Sequence, residues 1–204
     1  MNYKLAYRLG FHPWEDLAEH PPFAEALLQL VAGEENGDGP PYGRALDLGC
    51  GSAVWGVQLA RRGWQVTGVD LVERALRRAR ERVAAAGVEV RLAHGDVTAL
   101  HEAGVGSGFR LVLDTGTFHG LTPPQREAMG REVDAVCAPD ATVVLDCFAP
   151  RRRGPLPRGA DRAEVARAFP GWEITDDVSA DTEPDALARA FAFDERFFRL
   201  RRVP

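Results

Sequence analysis

Residues 45–63, ALDLGCGSAVWGVQLARRG, set two glycines one residue apart between a short apolar run and an amphipathic one. The chain therefore has to turn within Gly49-Cys50-Gly51-Ser52-Ala53, and glycine lets the backbone do so while approaching a ligand that a Cβ would hold away. The following run, WQVTGVD, ends in Asp70, about 20 residues past the first glycine, where a carboxylate accepts hydrogen bonds from ribose hydroxyls. A glycine turn and a strand-terminal acid within an alternating pattern point to a nucleoside-containing ligand.

The alternation continues along the chain. Short apolar stretches at Arg44–Leu48, Trp64–Val69, Val88–Leu92, Phe109–Leu113 and Ala141–Phe148 predict strands buried on both faces. Helical patterns fill the gaps, most clearly over Val72–Ala86, where Val72, Ala75, Leu76, Ala79, Val83 and Ala86 form one stripe and Gly87 supplies the stop. GWEITDDV and FAFDERFFRLRRV add two strand candidates, compatible with an antiparallel element closing the sheet edge. Upstream, Tyr3 to Leu9 and the Phe23, Ala26, Leu27, Leu30, Val31 spacing predict two helices, followed by the connector GEENGDGPPYG. The expected architecture is a single-domain, doubly wound α/β fold with a mostly parallel seven-stranded sheet, an antiparallel last strand and an N-terminal helical cap. Residues 1–43 form the cap and connector, and residues 44–204 the ligand-binding domain.

With 204 residues, 45% of them hydrophobic, the chain supports one well-buried core and not two large domains. Its formal charge of −5 argues against a phosphate-binding surface, hence against nucleic acid as partner. The apolar runs are too short to span a membrane, the first residues do not read as a secretory leader, and Cys50, Cys137 and Cys147 lie in no disulfide or zinc spacing. A cytoplasmic protein is expected, monomeric or, through the apolar FAFDERFF segment, homodimeric.

Two cofactor classes use a glycine turn of this kind. A dinucleotide site wants Gly or Ala at position 54, and Val54 stands there. DLGCGSA instead resembles the first motif of class I (Rossmann-like) S-adenosylmethionine-dependent methyltransferases, (D/E)xGxGxG, with Ala53 replacing the last glycine. The resemblance runs from about residue 44 to 148. It implies that Asp47, Gly49, Cys50 and Gly51 meet the methionine part of the cofactor and that Asp70, with Leu71 beside it, holds the ribose. It further implies that Asp96 in HGDVTAL meets the adenine amino group with Val97 alongside the ring. Asp114 and Thr115, in DTGTFH, then border both the methionine end and the acceptor. Each has a plainer reading: Asp47 ordering the glycine turn, Asp70 capping a strand, Asp96 forming a turn.

By the same resemblance the function is methyl transfer to a small molecule, foremost to a hydroxyl of a sugar, phenol or similar metabolite. Thiol, selenium or tellurium acceptors, as in the thiopurine and tellurite-resistance relatives, are the alternative. A non-catalytic binder of the same cofactor and an NAD(P)-dependent oxidoreductase stand further off. A hydroxyl needs a base, and His119, with Asp114 as its partner in the catalytic set, is placed for that role or for clamping the acceptor. Tyr7 and Trp14, in an N-terminal lid or simply packed on the sheet, join His119 and Arg151 as acceptor-binding candidates. Asp114 and Asp146 end neighbouring strands, as the magnesium-holding acids of catechol-type relatives do, but Cys147 stands where a further oxygen ligand would, so magnesium is the less favoured addition.

Overall fold

The computed structural model describes residues 21–35, 39–151, 157–179 and 195–203. The chain runs α1 (Pro21–Ala32), β1 (Arg44–Leu48), α2 (Val54–Arg62), β2 (Gln65–Asp70), α3 (Glu73–Ala86), β3 (Val90–His94) and β4 (Phe109–Thr115). A 3₁₀ turn (Phe118–Gly120), α4 (Pro123–Val136), β5 (Cys137–Phe148), α5 (Arg162–Ala168), β6 (Trp172–Ser179) and β7 (Glu195–Arg202) complete it. The sheet order is β3-β2-β1-β4-β5-β7-β6. The first five strands pair in parallel, and β7 lies antiparallel to both β5 and β6.

Each face of the sheet buries its own set of side chains. Leu46, Leu48, Phe109, Val112, Leu145, Phe198 and Leu200 pack with Met129 and Val133 of α4 and Val165 of α5. On the other face Ala45, Leu111, Leu113, Val144 and Phe197 meet Phe23, Leu27 and Val31 of α1 and Trp55 and Leu59 of α2. α4 and α5 touch through Gly130, where a Cβ would stand 1.8 Å from the Ala168 carbonyl oxygen. α5 begins on a capping box in which Asp161 accepts the Glu164 N–H at 2.8 Å and Glu164 accepts the Asp161 N–H at 3.2 Å.

The expected strands and their parallel order are found, with β3 starting two residues later than the pattern predicts and β5 beginning at Cys137. The chain's last strand does not take the sheet's edge. β7 carries Phe197 into one face and Phe198 and Leu200 into the other, so it belongs inside the sheet, whereas β6 exposes Glu173 and Thr175 and carries Asp176 and Asp177, a pattern that suits an edge. Cross-strand pairs of Arg196 with Asp177 at 2.6 Å and Arg199 with Asp176 at 2.9 Å lock this arrangement. The apolarity that invited a dimer contact at FAFDERFF is thus spent, at Phe197 and Phe198, on the core, while residues 191–194 lie outside the described residues.

Just past the end of α1, Glu34 is buried, accepts the Thr142 hydroxyl at 2.7 Å and pairs with Arg201 at 2.9 Å. Phe23, near its start, stands 5.2 Å from the Phe197 ring and 5.9 Å from Trp55. The expected second N-terminal helix is therefore present and fastened to the sheet. The first, at Tyr3 to Leu9, lies outside the described residues, as do Tyr7 and Trp14.

Candidate active site

The carboxyl ends of the parallel strands gather nearly all the residues singled out above, because in an open α/β sheet the loops leaving those ends share one edge. Gly49 (φ +64°), Gly51 (φ +54°) and Ala53 (φ +58°) make three left-handed steps before α2 begins. Ala53 is the alanine that replaces the motif's last glycine, and it adopts the left-handed conformation anyway, at a cost of about 1 kcal/mol. Gly49 has no such latitude, since a Cβ there would lie 1.9 Å from Thr117 Oγ1. That hydroxyl donates to the Leu48 carbonyl at 3.3 Å, so the β4 loop closes directly over the glycine turn.

Asp70 fastens the same turn from β2. Its carboxylate accepts the Gly51 N–H at 2.9 Å and the Val72 N–H at 2.7 Å. Burial raises its pKa, while those two donors pull the other way. Leu71, beside it, is 45% exposed, one of the few large apolar side chains so placed among the described residues. Asp96 accepts the Thr98 N–H and hydroxyl at 2.9 and 2.8 Å, the turn-forming geometry its plainer reading anticipates, and Val97 is buried next to it.

Beneath the turn, Asp47 is buried and its Oδ2 has no hydrogen-bond partner; the Ser52 hydroxyl is similarly placed. Burial, then the charges of Asp114 and Asp70, push the Asp47 carboxyl up to about 7. Asp114 is also raised to about 7 by burial, against the pull of the Thr117, Phe118 and Gly116 N–H groups. Those three donors, at 2.8 to 3.3 Å, occupy both its oxygens, so Asp114 shapes the loop and has little capacity left for ligand. Cys50 is buried with its thiol pushed well up by burial and the nearby carboxylates, a structural group in the floor of the turn.

His119 lies on the 3₁₀ turn after β4, 4% exposed, with its ring stacked on Phe148 at 4.3 Å. Its Nδ1 accepts the Phe148 N–H at 3.2 Å, which assigns the proton of the neutral ring to Nε2. Arg126 of α4 holds the turn: its guanidinium donates to the carbonyls of Phe118 (3.1 Å), His119 (3.0 Å) and Gly159 (2.8 Å). Arg151 is exposed on the loop after β5, its N–H bonded to the Arg158 carbonyl at 2.8 Å. Thr117, Arg126 and Phe148 carry no distinguishing signal in sequence; each is found by what it touches. Among the described residues no group of three His, Cys, Asp or Glu side chains is placed to hold a metal ion, and no helix is long and apolar enough to cross a membrane.

A glycine turn locked by an acid from the next strand, at the switch point of a doubly wound sheet, defines a Rossmann-like nucleoside-binding domain. A family model described as a methyltransferase domain matches residues 45–140. An uncharacterized methyltransferase of Schizosaccharomyces pombe is 30% identical over 122 residues, covering 60% of this chain and 77% of that one. The 2-heptyl-1-hydroxyquinolin-4(1H)-one methyltransferase of Mycobacteroides abscessus is 26% identical over 176 residues, 81% of this chain and 74% of the other. A ribosomal RNA small subunit methyltransferase C from Alcanivorax borkumensis is 43% identical over 72 residues, of whose length this chain spans only 22%. In fold, the chain is similar to the Burkholderia thailandensis 1,6-didemethyltoxoflavin-N1-methyltransferase solved with its acceptor and S-adenosylhomocysteine, with a TM-score of 0.75 at 20% identity over 100% of this chain and 86% of that one. The chain belongs to the class I S-adenosylmethionine-dependent methyltransferases. The site fits that cofactor: Gly49 and Gly51 bring no side chain to the turn, and the buried Asp47 Oδ2 and Ser52 hydroxyl beside it have no partner within the protein.

Proposed function

We propose that this enzyme methylates a hydroxyl of a small metabolite, a phenol or sugar, with S-adenosylmethionine as donor. When bound, the cofactor supplies a methyl group already activated by its sulfonium. The chain's own task is to hold two partners in line and to handle one proton, and positioning alone lowers a barrier by several kcal/mol. In this reading Asp70 and Leu71 hold the ribose, Asp96 and Val97 the adenine, and Asp47, Gly49, Cys50, Gly51, Asp114 and Thr115 surround the methionine end. The buried carboxyls there complement the cofactor's ammonium and sulfonium charges and favour it over its neutral-sulfur product.

The observation that supports the acceptor class is the acidic, hydrogen-bond-accepting character of the sheet edge beyond Thr115, where Asp146 and Glu195 are buried. Such an edge repels phosphate and welcomes a group that brings its own hydrogen-bond donor. The relatives' named acceptors, a hydroxyquinolinone and a toxoflavin precursor, are small heterocycles. A screen of metabolite pools with radiolabelled methyl donor, read by mass spectrometry, is expected to give an O-methyl ether. An N- or S-methyl product, or methylated RNA, overturns the hydroxyl reading.

His119 acts here as an acceptor clamp. With its lone pair engaged at Nδ1, the neutral ring offers a donor and not a base at Nε2. His119→Ala is expected to raise the acceptor KM roughly tenfold, the loss of one hydrogen bond and its ring contact, with a much smaller change in kcat. A hundredfold fall in kcat at unchanged KM would make it the base instead.

A further inference from the structure

If His119 clamps, another group must take the acceptor's proton, and hydrogen-bond occupancy narrows the choice at the carboxyl edge of the sheet. Asp70 holds two backbone N–H groups. Asp96 holds Thr98, and Asp114 holds the three N–H groups of its own loop. Asp47 retains an open oxygen but lies beneath the glycine turn, on the cofactor's side. Asp146, near the end of β5, and Glu195, the first residue of β7, are different. They are 4% and 7% exposed, and Asp146 Oδ1 and Glu195 Oε1 have no hydrogen-bond partner.

The register brings these two together. Asp146 faces Phe197 and Glu195 faces Phe148 across the antiparallel β5/β7 pair, so the two acids sit diagonally on one face of the sheet. Phe148, opposite Glu195, is the ring on which His119 stacks, and Asp146 pairs in register with Thr115 at the end of β4. The acids thus adjoin both the clamp and the β4 loop that closes over the cofactor turn. Buried acid oxygens without a partner are costly to keep, and two such acids, diagonal on one face of the sheet, mark a place where a ligand brings the missing donor.

Resting on the hydroxyl reading above, we propose that Asp146 and Glu195 are the proton-accepting pair of the enzyme, one carboxylate receiving the hydroxyl proton of a phenolic or sugar acceptor. The acceptor oxygen bonds to the methyl carbon as the carbon–sulfur bond breaks. The bonding pair of that bond leaves with sulfur, and the O–H proton passes to the carboxylate, which later returns it to water. Burial raises the affinity of both carboxyls for a proton, and the charges of Glu195 and Asp114 add to the effect on Asp146; a carboxylate so tuned is a stronger base than an ordinary one.

The experiment compares wild type, Asp146→Asn and Glu195→Gln with phenol, whose hydroxyl keeps its proton at neutral pH, and thiophenol, which is already ionised there. Wild type is expected to form anisole and thioanisole. Each variant is expected to lose roughly 100-fold or more in anisole formation, the usual contribution of a general base, while keeping thioanisole formation and S-adenosylhomocysteine affinity. Anisole formed by both variants at the wild-type rate overturns the pair's role and leaves the hydroxyl reading standing; thioanisole without anisole from wild type overturns both.

A second arm needs no turnover. Because the folded-state affinity for protons is raised, the stability these carboxyls contribute is full below their unfolded values and is lost as pH rises through the folded ones. Each variant should therefore melt above wild type at pH 8, by roughly 2–4 °C for a chain of this size, and close to it at pH 4. Identical melting curves at both pH values mean that the fold does not raise the proton affinity of either acid, and overturn the proposal.

Discussion

Gly49→Ala is expected to cost at least 100-fold in affinity for S-adenosylhomocysteine, read by calorimetry. Two penalties act together. A side chain at φ +64° is strained by about 1–2 kcal/mol, and the new Cβ would arrive 1.9 Å from Thr117 Oγ1, an overlap relieved only by moving the glycine turn or the β4 loop, at about 1–3 kcal/mol. Thr117 has little room to yield, because its N–H is held by Asp114 at 2.8 Å and its hydroxyl by the Leu48 carbonyl at 3.3 Å. Ala53 separates the two contributions. It already carries a Cβ at φ +58° in the same turn and is wholly buried, so left-handed strain alone is tolerated there and the clash is what makes Gly49 obligatory. Adding Thr117→Ala to Gly49→Ala removes the clashing hydroxyl and should recover about tenfold, the share that overpacking contributes. Unchanged affinity in the single variant, with melting showing it folded, would mean that the turn does not approach the cofactor.

The glycine turn and the loops around it are far more legible in the sequence than the pairing of β5 with β7, for a physical reason. The glycine turn, Asp70 and the β4 loop are local: a few consecutive residues fold against the next strand, so spacing alone reports them. Even there, sequence names the residues and not their obligations. Asp114, expected in the catalytic set, has its oxygens on the N–H groups of residues 116–118, and His119, expected as base or acceptor clamp, takes the Phe148 N–H on its Nδ1. Glu195 was illegible because its place depends on β7 inserting between β5 and β6, a pairing between segments far apart in the chain. The clue was present in FFRL, whose apolar residues fall on both faces and so demand an interior strand, while the charges of β6 mark an edge. Arg126 is hidden from sequence on similar grounds: a cation in a helix ordinarily reads as solvated, and its burial is explained by the carbonyls of Phe118, His119 and Gly159 and the Glu164 carboxylate at 3.1 Å converging on it.

Asp70→Ala carries the second large effect, and its interest lies in separating two jobs that one carboxylate does at once. The group ties Gly51 to Val72, so removing it loosens the glycine turn and the entry to α3; in the proposed complex it also accepts the ribose hydroxyls. Charge-assisted hydrogen bonds to a buried carboxylate contribute about 1.5–3 kcal/mol each, so the loss of two predicts roughly 100-fold weaker S-adenosylhomocysteine binding or worse. Loss of affinity alone would not distinguish a strand cap from a ribose ligand. The 2′,3′-dideoxyribose analogue of S-adenosylhomocysteine does: wild type should prefer the natural ribose by at least tenfold, and Asp70→Ala should bind the two equally. Asp70→Asn sharpens the comparison, because its amide keeps one acceptor but turns an NH₂ toward the other backbone N–H, so it should fall between wild type and alanine in affinity while losing most of the ribose preference. A variant that binds weakly yet still prefers the natural ribose would leave Asp70 as the fastener of the turn and assign the sugar to another residue.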